Sequence, residues 1–139
     1  MRLTIIIVLF FLFPSHIGIS NHGYNITLKR NKPKIEIVTL TIYSPNSGQT
    51  DKTPHLTASG FKIDSNNPGK HKIIAISRDL KKKWKFNTRV KILNAGRYNG
   101  IYIVKDLMNK RHRKRIDILV SKNRKPIKLT GIKVVKIDP

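Results

Sequence analysis

The chain has 139 residues, which suits a single domain of about 100–120 residues able to bury its own core, with room for a short tail before it. It contains no cysteine, which excludes thiol catalysis, zinc ribbons, disulfide scaffolds and lipid attachment through an N-terminal Cys. Its 29 Lys and Arg against 7 Asp and Glu give a formal net charge of +22, a field that draws polyanions; a solvated surface of compositional origin accounts for the same bias.

Residues 1–20 carry one charge, Arg2, followed by an apolar run from Leu3 to Phe13 and then Pro14, Ser15, His16 and Gly18. A positive start, about a dozen apolar residues and a turn-prone end make a signal peptide, cleaved near Ser20. The run is short of the roughly twenty residues of a membrane span, although an uncleaved anchor is the alternative. No later segment is apolar enough to span a bilayer. The mature protein is therefore expected outside the cytoplasm: secreted, periplasmic or in the cell envelope.

Residues 21–33 are polar and turn-rich and read as a linker. The Asn25-Ile26-Thr27 sequon within them matters only in a eukaryotic secretory route. The domain proper is expected over 34–139. Alternating, β-branched segments predict strands at 35–43, 71–77, 88–93, 99–106, 115–120 and 131–137, each bounded by Gly, Asn, Pro or charged residues. Between the first two runs a loop rich in Pro, Asn, Ser and Gly. Residues 78–85 have room for one or two short helical turns, and 122–128 for a turn ended by Pro126. The fold class is all-β, a closed barrel or a sandwich of six strands.

With so few acids, their placement is informative. Asp51 and Asp64 lie in polar loops and Asp138 beside the C-terminus; Glu36 lies in the first strand, opposite Ile35 and Ile37 by alternation. Asp79, Asp106 and Asp117 differ. Asp106 ends a strand, and Asp117 interrupts RIDILV, where alternation sends Ile116, Ile118 and Val120 to one face and Arg115, Asp117 and Leu119 to the other. Asp is disfavoured in strands, so it needs a reason: an ion pair with Arg111, Arg113, Lys114 or Arg115, or chemistry. The histidines (His16, His22, His55, His71 and His112) show no metal-ligand spacing, so neither metal nor cofactor is expected. The basic run 109–115 is either a solvated hairpin loop or a polyanion contact.

The ordered segments TIYSP (from Thr41), TASG (from Thr57), IAISRD (from Ile74), YIVKD (from Tyr102) and RIDILV (from Arg115) resemble the three-aspartate (3D) domain. That family is a double-psi β-barrel found in bacterial lytic transglycosylases and related wall-remodelling proteins. The resemblance covers about residues 38–137. It implies a six-stranded double-psi barrel and a secreted enzyme that cleaves peptidoglycan between N-acetylmuramic acid and N-acetylglucosamine. By the resemblance Asp117 is the catalytic acid, Asp106 its neighbour on the preceding strand, eleven residues away, and Asp79 the third aspartate. Ser77 and Arg78 stand before Asp79 where the family has Ala and Val, and Leu107-Met108-Asn109-Lys110 replaces a Thr-Gly-Gly turn.

In such a reaction the muramic C6 hydroxyl is the nucleophile, so one carboxyl serves first as acid and then as base. To hold a proton, Asp117 must be raised above about 3.9 by burial and by like charge. Thr57, Ser59, Gly60, Tyr43 and Tyr102 are candidate substrate-binding residues. The expected partners are peptidoglycan glycan strands and anionic wall polymers, with no specific nucleic acid, and the protein is expected to be a monomer. Two alternatives remain open: a glycan-binding barrel without catalysis, and an exported basic polyanion binder.

Overall fold

The computed structural model describes residues 33–45, 53–121 and 124–137; the expected signal peptide, nearly all of the expected linker, Asp51 and Asp138 lie outside them. Among the described residues no helix is long and apolar enough to cross a membrane. Six strands form where β-branched residues alternate: β1 (Ile35–Tyr43), β2 (Ile73–Ile76), β3 (Arg89–Leu93), β4 (Gly100–Leu107), β5 (Arg115–Leu119) and β6 (Lys128–Ile137). Among the described residues helical structure is limited to single 3-10 turns at Pro68–His71, Arg78–Leu80 and Gly96–Tyr98. The strand expected at 71–77 is shorter, because Pro68–His71 winds into a turn and Lys72 takes a left-handed φ of 50° before β2 begins. Conversely, β6 begins at Lys128, three residues ahead of the expected start, because that stretch pairs with β1.

The strands close into a barrel in the order β1-β5-β2-β4-β3-β6. Two neighbouring pairs, β1/β5 and β2/β4, run parallel, and the other four are antiparallel. Exchanging β1, β2 and β3 for β4, β5 and β6 leaves this order unchanged, so each half of the chain threads a strand into the other. This interlocking is the double-psi arrangement.

Alternation sends one set of side chains inward. Leu40, Ile74, Ile76, Val90, Ile92, Val104, Ile116 and Val134 are fully buried and fill the barrel, with Trp84 and Tyr102 in the same buried cluster. Full burial of such side chains stabilises by about 1.5–3 kcal/mol each, before the entropy of ordering them. A second, smaller cluster lies on the outer face. Tyr43, Ile73, Ala75 and Leu119, from β1, β2 and β5, cluster there with Ile63 and Met108, and Phe61 packs against them.

Glu36 and its neighbours behave in a way that alternation alone leaves open. Ile35 and Ile37 are each half exposed, whereas Glu36 shares parity with the buried Val38 and Leu40. Its side chain is largely covered at the barrel rim, where it pairs with Lys83.

Candidate active site

An outer row that crosses four strands holds two of the aspartates. Register sets Thr41 of β1 beside Asp117 of β5, Asp117 beside Ala75 of β2, and Ala75 beside Asp106 of β4. The two aspartates thus flank one small side chain, with Cα atoms roughly two strand spacings, or ~10 Å, apart. Ala75 leaves the space between them open. A β-bulge makes the row possible. Ile74 pairs with Val104 but Ala75 pairs with Asp106, so Lys105 is an extra residue on β4. Without it, Asp106 would follow Tyr102 and Val104 into the barrel.

Asp106 is fixed by three donors. Ala58 N–H and Leu107 N–H each donate to Oδ1 at 2.9 Å, and the Tyr43 hydroxyl donates to Oδ2 at 3.2 Å. Burial, followed by the charge of Asp106, pushes the Tyr43 phenol well above its ordinary range, so Tyr43 remains a donor. The Ala58 donor is supplied by the TASG turn. Gly60, at φ 80°, donates its N–H to the Thr57 carbonyl, and the Thr57 hydroxyl accepts from Phe61 N–H and bonds to Ser59 Oγ. Thr57, Ser59 and Gly60 therefore build the turn that presents Ala58.

Asp117 has a different environment. Its Oδ1 is buried and has no hydrogen-bond partner. Burial raises it from the ordinary 3.8 to about 6; the Thr41 hydroxyl and the Arg115 charge pull downward, and Asp106 pushes upward. The same hydroxyl donates to the Ile116 carbonyl at 3.4 Å, a long hydrogen bond. Desolvation wins. The two aspartates are thereby separated in role: one is pinned as an acceptor and the other holds a proton toward neutrality.

Both open into a cleft of about 760 Å³, which Tyr43, Thr57, Ala58 and Ala75 also line. Its rim is formed by Thr53, Pro54 and Leu56 on one side and by Arg78, Leu107, Met108, Asn109, Arg111 and His112 on the other. His112 is held below its ordinary pKa by burial and by Arg115 and Arg111, and its Nδ1 accepts from Arg115 Nη1 at 3.1 Å.

Asp79 stands apart from this pair. It lies in the Arg78–Leu80 turn, and its Oδ2 accepts Lys114 N–H at 3.1 Å. Burial pushes its carboxyl up, but the Ser77 hydroxyl, the Lys114 N–H and the Arg113 charge outweigh that and hold it below the usual range. Ser77 completes the clamp, since its Oγ accepts Arg115 N–H at 3.0 Å and its N–H donates to the Arg115 carbonyl at 2.9 Å. Asp79 thus anchors the loop that carries Arg111 and His112. Tyr102 also lies away from the cleft, with its ring buried and its hydroxyl donating to the Tyr98 carbonyl at 3.1 Å.

The sequence reading passed over Ala58, Ala75, Arg78 and Thr41 as site residues. Ala75 is the one small residue in IIAI, which is the available signal; the Ala58 N–H carries none, because it acts through its backbone. His71 Nε2 accepts Asp64 N–H at 3.1 Å, a structural role, and among the described residues no group of His, Asp and Glu is placed to hold a metal. A scan against protein-family models and a search of curated proteins each returned no match to this chain.

Proposed function

We propose that this protein is an exported lytic transglycosylase of the cell wall, with Asp117 as its acid and base. The observation that carries the reading is Asp117 itself, a mid-strand carboxyl on the cleft floor with a buried, unpartnered oxygen and a pKa of about 6. A proton held there can be delivered to the glycosidic oxygen as the bond to the leaving sugar breaks. The carboxylate so formed then takes the proton of the C6 hydroxyl as that oxygen closes on the anomeric carbon. Water is not consumed, and the product is an anhydro sugar. Asp106, pinned by three donors, sets a fixed negative charge across the Ala75 gap that favours the positive charge developing on the sugar ring. The cleft volume falls within the range of small-ligand sites and suits a short stretch of glycan, while Arg78 and Arg111 on its rim suit the carboxylates of peptide stems.

The test is digestion of purified sacculi with mass analysis of the released fragments. Wild type should release anhydro-muropeptides, with activity falling as pH rises above about 6, and Asp117→Asn should lower release by at least a hundredfold while retaining the fold. Equal release by the two proteins, or none by either, would remove Asp117 as the acid. A second reading, glycan binding without cleavage, is favoured by the cleft wall at Leu107, Met108 and Asn109, where Met108 is packed into the outer cluster. It predicts that sacculi retain wild type and Asp117→Asn equally, with no fragment released.

A further inference from the structure

A second concavity shares no residue with the aspartate cleft. It occupies about 270 Å³ between the Pro68–His71 turn, the Gly96–Tyr98 turn and the end of β5. Three cations border it from three separate segments: Lys72, Arg97 and Arg124. No acid lines it. Among the described residues the acids are committed elsewhere: Glu36 pairs with Lys83, Asp64 with Lys70, Asp79 holds the Lys114 amide, and Asp106 and Asp117 face the other cleft. Three like charges around one small space repel one another, and an anion seated between them relieves that repulsion.

Two of the three cations, Arg97 and Lys72, lie over aromatic rings. The Arg97 guanidinium lies 5.2 Å from the Tyr98 ring centroid, and its Nη2 donates to the Tyr98 hydroxyl at 3.2 Å. Lys72 Nζ lies 5.6 Å from the Tyr102 centroid. Gly69 brings the first turn against Ser121, since a Cβ at Gly69 would stand 3.2 Å from Ser121 Oγ. That close approach keeps the Ser121 hydroxyl on the cavity wall as an additional donor.

We propose that this cavity is a phosphate-binding site, taking a phosphate monoester or one phosphodiester of a polymer. A planar carboxylate is satisfied by a single guanidinium fork, whereas a tetrahedral group accepts donors from several directions, and Lys72, Arg97, Arg124 and Ser121 line this cavity from separate segments. The proposal is independent of any activity at Asp117.

The experiment follows amide chemical shifts of the full chain during titration with inorganic phosphate, glycerol phosphate and poly(glycerol phosphate) at constant ionic strength. The variants are Lys72→Gln and Arg97→Gln, with Lys91→Gln and Lys133→Gln as charge-matched controls on exposed strand positions of β3 and β6. The expected result is saturable shifts at Gly69, Lys72 and Ser121, weakened tenfold or more by Lys72→Gln and Arg97→Gln and unchanged in the controls. Tighter binding of the polymer than of both small phosphates identifies a phosphodiester chain as the source; equal or weaker binding identifies a small phosphate ester. Shifts that spread over the surface without saturating, or that fall equally in all four variants, would overturn the site and leave net charge alone as the cause.

Discussion

Asp117 sits where strand geometry and solvation oppose each other. The pairing of β5 between β1 and β2 removes its carboxyl from water, and no donor compensates Oδ1. Because burial raises the group from 3.8 to about 6, the folded chain holds this proton more tightly than the unfolded one. The resulting stabilisation is complete below pH 3.8 and is lost as pH rises through about 6, a change of about 3 kcal/mol. Asp117→Asn cannot ionise. Its stability relative to wild type should therefore rise by that order between pH 4 and pH 7.5, as read from urea unfolding at each pH; a flat difference would place the carboxyl in water. Ala75 makes a separate prediction. Ala75→Leu should fill the gap between Asp106 and Asp117, lowering fragment release at least tenfold and stability by about 1–3 kcal/mol through overpacking.

Within elements, the three aspartates divide into a facing pair and an anchor. Asp79 and Ser77 fix the start of β5, where Lys114 is held at a φ of 44°, a left-handed conformation uncommon for lysine. Asp79→Ala should cost about 0.5–1.5 kcal/mol by removing the acceptor of the exposed Lys114 N–H. Amide exchange should quicken at His112 and Lys114 while the Asp117 titration stays in place. If exchange there is unchanged and activity falls as far as in Asp117→Asn, Asp79 belongs with the pair. In the TASG segment the hydroxyls of Thr57 and Ser59, read from the sequence as sugar contacts or turn caps, hydrogen-bond within the turn around Gly60.

For the whole molecule, the strands were legible because each is a short β-branched run that fills one barrel wall. The first strand, at 35–43, coincides with β1, and the others differ by a few residues at their ends. Alternation also sends Asp117 and Leu119 outward together, away from Ile116 and Ile118, as it does in the sequence reading. What the sequence did not reveal depends on contacts distant along the chain. The parallel β1/β5 pair brings Thr41 to Asp117, and the Lys105 bulge turns Asp106 outward; neither leaves a local pattern. The open space at Ala75 depends on both. Tyr102 and Tyr43 look alike as strand aromatics, yet the barrel assigns them to different clefts.

The closed barrel thus presents one desolvated carboxyl beside one pinned carboxylate, and the titration of Asp117 tests that most directly. Carbon-detected NMR of side-chain carboxyl groups, with Asp117→Asn to assign the resonance, should give a midpoint of about 6 for Asp117. A midpoint near 4, the range of an exposed aspartate, would contradict the account.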